Sequence, residues 1–294
     1  VAIVANPYSG RRENRRLVEA LAGELARHGL QPQLMWQPAE LREAATQADF
    51  ARHFRCVVAA GGDGTLQRVV NEQTAVPVYA YPLGNENLFA RHFGHVRQPE
   101  AAAAAMARGA WRTIDLARAT YLNSGTRLRF CSVASIGFDA DVCHRLAAWR
   151  SRGTALRRVG ARSYVLPIAA SVCSYTFPTM TIEAEGRMVQ GAMVLVFNLP
   201  EYAFGLPFLP MASPADGLLD WIVFRRPGRW AVGWYLLALC LRRHLRQRGV
   251  AWGRARRVRV TCASGVPLQT DGEASGFGPV ELAVEPGGLR VIEP

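Results

Sequence analysis

The sequence predicts an α/β fold in two parts: a parallel-sheet α/β domain over residues 1–116, then a mostly antiparallel β-sandwich over residues 117–294. Solid apolar runs at 1–5, 56–60 and 76–81 alternate with helical stretches, as strands buried on both faces of a parallel sheet do. From residue 127 onward the pattern changes to strict alternation. Arg127-Leu128-Arg129-Phe130, Met180-Thr181-Ile182-Glu183, Val258-Arg259-Val260-Thr261 and Val280-Glu281-Leu282 have the period of strands with one wet face. A chain of 294 residues is long enough to close a core in each part.

The elements follow in order. A helix with Leu17, Leu21 and Leu25 on one face stops at Gly29, a residue suited to a helix end. A short strand at 34–36 and a helix at 41–50 lead to the second buried run. Helices are expected at 65–73, 87–93 and 100–108, the last built on an alanine run. In the second part, helices are expected near 140–149, 163–174 and 230–248.

The net charge of +12 is carried by arginine alone, because the sequence has no lysine. That excludes Schiff-base and P-loop lysine chemistry, so phosphate contacts must come from arginine, backbone amides and metal. A basic chain seeks polyanions, and charge alone does not choose among nucleic acid, nucleotide and anionic lipid. The six cysteines form no CxxC pair and read as buried free thiols of a reducing compartment. No signal peptide is expected at the start of the sequence, and the apolar run at 230–241 is too short to span a bilayer. The expected location is cytoplasmic, at the membrane periphery.

The strongest chemical signal is Gly61-Gly62-Asp63-Gly64-Thr65, placed after a buried strand and opening a helix. Glycines let amides approach a phosphate, and a helix N-terminus favours the anion. Asp63 among them would repel phosphate unless a divalent cation or a hydroxyl proton stands between, which points to metal-assisted phosphoryl transfer. The alternative is a tight turn with a helix cap. A second motif, Asn6-Pro7-Tyr8-Ser9-Gly10-Arg11-Arg12, also joins a strand to a helix. A third, Pro82-Leu83-Gly84-Asn85-Glu86-Asn87-Leu88-Phe89-Ala90-Arg91, follows the third strand. Loops at the carboxyl ends of neighbouring parallel strands face one crevice, so Ser9, Gly10 and Arg11 are expected beside Gly61 and Gly62. Asn85 or Asn87 reads equally well as a plain helix cap.

These motifs together resemble the diacylglycerol kinase catalytic domain, which bacterial diacylglycerol kinase-like lipid kinases share with sphingosine and ceramide kinases. The resemblance extends along nearly the whole chain, in family order. Thr113-Ile114-Asp115-Leu116 is similar to the family's junction aspartate. Ser135-Ile136-Gly137-Phe138-Asp139-Ala140 resembles its strand–helix segment, and Asp216-Gly217-Leu218-Leu219-Asp220 and Asp271-Gly272-Glu273 its later motifs. It implies an N-terminal nucleotide-binding domain, ATP as co-substrate, Mg2+, and a lipid substrate at a membrane surface. By the resemblance Asn6, Ser9, Gly10, Arg11, Gly61, Gly62, Asp63, Gly64, Thr65 and Asn85 hold nucleotide. Asp63, Asp115 and Asp216 serve metal. Asp63 and Glu273 are catalytic, Glu273 as base or orienter for the lipid hydroxyl. Two positions depart from the family loop: Asn85 stands where it carries threonine, and Leu88 where it carries aspartate.

Two rivals remain. An NAD kinase-like enzyme also has a GGDG turn, although the segments at 135–140 and 216–220 argue against it. A non-catalytic nucleotide- or lipid-binding protein is motivated by Leu88. The six histidines show no metal spacing and read mostly as solvated. The arginine runs at 225–226 and 254–259 read as wet sheet faces, and no nucleic-acid motif accompanies them, so no nucleic-acid partner is expected. A homodimer stays open. Trp230, Trp234, Leu237 and Leu241 recur at helical spacing, followed by Arg242, Arg243, Arg246 and Arg248. That segment reads either as a helix lying in a lipid headgroup layer or as a core helix with a basic C-terminal cap.

Overall fold

The computed structural model describes residues 1–5, 12–73, 75–152, 161–202 and 206–294. They form two compact units, Val1–Leu116 with Pro286–Pro294, and Ala117–Glu285.

The first unit runs β1 (Ala2–Ala5), α1 (Arg12–Arg27), β2 (Gln33–Met35), α2 (Pro38–Ala45), α3 (Phe50–His53), β3 (Val57–Gly61), α4 (Asp63–Glu72), β4 (Val78–Pro82), α5 (Leu88–His92) and α6 (Pro99–Arg108), and leads into β5 (Trp111–Tyr121). The strands lie in the order β2-β1-β3-β4, all parallel. The apolar runs are buried throughout, as a doubly covered sheet requires. Val18, Leu21 and Leu25 of α1 bury their face against Ile3, Val58 and Tyr81 in the same core cluster as Ala102 and Met106 of α6. The helix expected over residues 41–50 divides in two, with α2 ending at Ala45 and α3 starting at Phe50.

The second unit comprises β6 (Arg127–Phe130), β7 (Val133–Gly137), α7 (Phe138–Ser151), α8 (Val165–Ser174), β8 (Met180–Ala184), β9 (Arg187–Gly191), β10 (Met193–Phe197), β11 (Glu201–Tyr202), β12 (Leu206–Pro207), β13 (Leu219–Phe224), α9 (Arg229–Cys240), β14 (Val250–Ala255), β15 (Arg257–Thr261), β16 (Pro267–Thr270), β17 (Glu273–Phe277) and the first part of β18 (Val280–Ile292). One antiparallel sheet has the order β14-β13-β10-β7-β16-β17. A second places β15 between β18 and β8, with β9 beyond. Trp221, Ile136, Leu268, Val258, Ile182 and Leu282 meet in one core, the sandwich that the alternating segments predict. At the β7–α7 junction Gly137 has φ +112°, and a Cβ there would stand 2.8 Å from the Ala192 carbonyl.

Two sequence expectations shift. Residues 286–294, read as part of the sandwich, belong to the first unit, because Val291 of β18 pairs in parallel with Val78 of β4. The helix expected over 230–248 ends at Cys240, because Arg242 turns into the left-handed region at φ +53° and its amide closes back on Leu239.

His28 and His53 are exposed as expected, but three other histidines depart from the solvated reading. His244 is buried and bonded to the Phe208 carbonyl, and His144 bonds the Leu268 carbonyl. His95 is buried, stacked on Tyr79 at 4.1 Å. Its Nδ1 accepts the Ala80 amide at 3.0 Å, so its Nε2 carries the hydrogen and donates to the Ile292 carbonyl at 2.8 Å. The ring thus pins the end of β18 beside β4.

Burial lowers the His95 pKa from 6.5 to about 4. The unfolded chain takes up this proton near pH 6.5 and the folded one resists it, so the stabilisation is full above pH 6.5 and is lost as pH falls toward 4. That shift corresponds to about 3 kcal/mol. In urea unfolding of the whole chain, the stability advantage over His95→Gln should shrink by about this amount between those pH values. Parallel pH profiles for the two proteins would refute the assignment.

Candidate functional site

The first candidate site is built at the carboxyl edge of the parallel sheet. Ala5 lies opposite Ala60, and Gly61 opposite Pro82, so β1, β3 and β4 end side by side. Residues Asn6, Ser9, Gly10 and Arg11 lie outside the described residues. The loops after β3 and β4 are tightly joined. The amides of Leu83 and Gly84 both donate to the Gly61 carbonyl, at 3.0 and 3.2 Å. A Cβ on Gly84 would stand 2.5 Å from the Gly62 Cα and 2.7 Å from Asn87 Oδ1, so only glycine fits that approach. Gly62 caps α4 in an extended conformation and no side chain caps the helix. A helix N-terminus without a side-chain cap is suited to an anion. Thr65 is buried under the turn, and Asn85 is exposed at the tip of the second loop.

Asp63 does not point to solvent. Its Oδ2 accepts the amide of Leu88 and its Oδ1 that of Phe89, both at 3.1 Å. The carboxylate thus caps α5 from another helix. Asn87, the expected cap, does something else. It sits in the left-handed region at φ 47° with no cap bond of its own, and its side chain exchanges two hydrogen bonds with the Gly84 backbone. Burial pushes the Asp63 carboxyl up, and the amides of Phe89, Leu88 and Asp63 itself pull it down.

The second candidate site is the hairpin β16–β17 of the other unit. Asp271 (φ 50°) and Gly272 (φ 81°) form its two-residue loop, the Asp-Gly pairing that a tight hairpin turn favours. The Asp271 carboxylate accepts the amides of Cys131, Ser132 and Val133 at 2.8, 2.7 and 3.2 Å. Gln269 Oε1 accepts the Gly272 amide at 2.8 Å, and Gln269 Nε2 donates to Ser135, Asp139 and Tyr202. Asp139 also accepts the hydroxyls of Ser135 and Tyr202, at 2.5 and 3.0 Å. Burial pushes Asp139 up against those bonds, and burial then Asp139 itself push Tyr202 far up. Glu273 begins β17, half-buried, and forms no ion pair among the described residues. The sequence pointed to Glu273 but not to the groups that hold its turn. Asp271 was marked only as part of the Asp271-Gly272-Glu273 motif, and nothing marked the roles of Gln269 and Tyr202.

The three aspartates expected to serve metal have other partners. Both Asp63 oxygens hold amides. Asp115 is buried and accepts the Gly287 amide at 2.8 Å. Asp216 accepts the Leu218 amide and pairs with Arg254 at 3.4 Å. Among the described residues no group of three His, Cys, Asp or Glu side chains gathers as a metal cage. Asp63 and Asp216 thus spend both oxygens on backbone amides and Arg254, and Asp115 spends one on the Gly287 amide.

Residues 1–119 match the diacylglycerol kinase catalytic domain, and residues 132–293 match the YegS C-terminal NAD kinase beta sandwich-like domain. The chain belongs to the diacylglycerol kinase family. It is 25% identical to the "Putative lipid kinase YtlR" of Bacillus subtilis, across 98% of this chain and 97% of that one. It is 27% identical to a diacylglycerol kinase of Mycobacterium tuberculosis H37Rv, across 100% and 95%. A crystal structure of a "putative diacylglycerol kinase" from Bacillus anthracis shares the fold, with a TM-score of 0.75, 20% identity, and 100% and 94% of the chains covered. Family membership makes the chain a kinase of the lipid kinase type. Its likeness to NAD kinases is in the fold of the second domain.

Asp63→Asn leaves one acceptor oxygen for the two α5 amides. It should cost about 1–3 kcal/mol of stability, the usual consequence of an orphaned buried donor, and loosen the loop at residues 83–87. Thermal melting and amide exchange at Leu88 and Phe89 measure both. An unchanged melting temperature with intact protection would mean that the brace contributes nothing.

Proposed function

We propose that the chain transfers the γ-phosphoryl group of ATP to a hydroxyl of a diacylglycerol-like or sphingoid lipid. The observation that carries this reading is the uncapped start of α4, set between two glycine loops that end neighbouring parallel strands. Backbone amides and a helix N-terminus supply phosphate contacts without lysine, which suits a chain that has none. In this reading Gly61, Gly62, Gly64 and Thr65 cradle the nucleotide phosphates. Asp63 is a positioning residue, which fixes the second loop through α5.

Phosphoryl transfer asks the protein mainly for positioning and charge stabilisation. The lipid oxygen forms the new bond to the γ-phosphorus, the bond to the β-phosphate oxygen breaks, and ADP leaves. Glu273 aligns the hydroxyl and takes its proton. Two features support that role: the hairpin holding Glu273 is fixed by Asp271 and Gln269, and its carboxylate has no arginine partner among the described residues.

The test is mass spectrometry of a total lipid extract incubated with the protein, ATP and Mg2+, with NAD in a parallel reaction. A phosphorylated lipid is expected. Phosphorylated NAD alone would support a small-molecule kinase, and no product from either would favour a binding protein. Glu273→Gln should lower lipid turnover by roughly 10²–10⁴-fold, the range of a general base, with ATP affinity nearly unchanged. Equal loss of ATP binding would place Glu273 at the nucleotide instead.

A further inference from the structure

α9 has two apolar faces, and only one is used by the fold. Val232, Tyr235, Ala238 and Leu239 are buried. Tyr235 anchors the helix by accepting the Arg226 amide and donating to the Gly249 carbonyl. The outer face carries Trp230, Trp234, Leu237 and Leu241, which are 83%, 53%, 52% and 59% exposed. Their spacing of four, three and four residues lines them along one side, with no charged residue among them. A core helix would cover such a face, so that reading of the segment does not hold within this unit.

On its inner face α9 packs toward α7 and α8. Val232 of α9 shares a cluster with Phe138 and Val142 of α7, and Val172 of α8 and Tyr164 pack against it. α8 turns Val165 and Leu166 outward, each 60% exposed. Exposed apolar side chains aligned on one helix face, as on α9, mark an interaction site.

The charges that flank α9 in the chain are of one sign. Between Asp220 and Asp271 the chain has eleven arginines and no Asp or Glu. Arg225, Arg226 and Arg229 precede the outer face, and Arg242, Arg243, Arg246 and Arg248 follow it, all exposed. None of these seven has an ion pair among the described residues, whereas Arg254, Arg257 and Arg259 on the sheet pair with Asp216, Asp220 or Glu281. Two indoles hold the basic turn, one from the helix and one from β14. Trp234 donates to Gln247 Oε1 at 3.2 Å, and Trp252 to the Leu245 carbonyl at 3.3 Å.

We propose that the outer face of α9 docks on an anionic lipid bilayer. Tryptophan and leucine would enter the headgroup–acyl boundary while the arginines at both ends meet lipid phosphates. Charge decides between this and a second copy of the chain, because a self-complementary contact would bring arginine-rich rims of one sign together. The inference goes beyond the kinase reading and is tested without turnover, so either can fail alone.

Flotation with phosphatidylcholine vesicles, with and without phosphatidylglycerol, reads the binding. The wild-type protein should float with the anionic vesicles and much less with the neutral ones. Trp230→Ser with Leu237→Ser should weaken that binding by roughly tenfold or more and leave the melting temperature unchanged, since both side chains are exposed. Arg242→Gln with Arg243→Gln should weaken binding to anionic vesicles and not to neutral ones. Brominated-chain lipid should quench wild-type tryptophan fluorescence, a measurement that needs no variant. Variants that bind like wild type, or wild-type tryptophans that are not quenched, would overturn the proposal. So would a dimer in solution that the serine variant dissociates, with no vesicle binding by either protein.

Discussion

Asp63 accepts the amides of Leu88 and Phe89, the first donors of α5, and so spans the loops that follow β3 and β4. Much of the first site depends on this contact. The parallel register brings the two strand ends together, but strand pairing stops at Gly61 and Pro82. Beyond it the loops are held by the Gly61 carbonyl, by the Gly62–Gly84 approach and by Asp63. Because the Asp63 carboxylate is taken up in bracing, the α4 N-terminus beside it stays without a side-chain cap. A single aspartate thus orders the neighbouring loop while the glycine backbone is left to meet an anion. The 3.1 Å bonds are of ordinary length, so the carboxylate gains from two moderate interactions and not from one short one.

The second unit repeats the device with different residues. Asp271 holds three consecutive amides of the β6–β7 turn, and Asn198 holds the same turn from the other side through the Cys131 and Ser132 carbonyls. A buried polar cluster of this type is costly when half-satisfied and rigid when complete. Here Ser135, Asp139, Tyr202 and Gln269 satisfy one another and pass that rigidity to the Gly272 amide. The glutamate next in the chain therefore starts from a fixed backbone. Rigid support behind an unpartnered carboxylate is what orientation-dependent chemistry needs.

Periodicity carried the architecture, because the buried runs and the alternating segments differ in the number of wet faces. Glycine carried the position of the first site, since Gly61, Gly62 and Gly84 occur where backbone meets backbone. Partnership was not legible. Nothing near Asp63 in the chain announces Leu88 and Phe89, and a carboxylate among glycines reads as readily toward metal as toward an amide. Asn87 shows the same gap: an asparagine before a helix suggests a cap, yet the cap comes from Asp63 and the asparagine braces Gly84. His95 was invisible for a related reason, since its burial depends on β18 returning from the far end of the chain. The end of α9 depends on Arg242 adopting a left-handed turn, which its helix propensity does not favour.

The net charge acquires meaning only when its arginines are sorted by partner. Arg118 and Arg129 share Glu285, and Arg257 and Arg259 share Glu281. Arg254 reaches both Asp216 and Asp220. β15 alternates exposed arginine with buried valine, so its basic run is the wet face of a strand whose charges are largely balanced locally. Exposed pairs of this kind add little stability, but they remove those arginines from the net field. Seven exposed arginines with no ion pair among the described residues lie at the two ends of α9, on either side of its apolar outer face. Burying that surface against another protein would require acidic partners for seven guanidiniums, whereas a bilayer bearing anionic headgroups offers phosphate and hydrocarbon at adjacent depths.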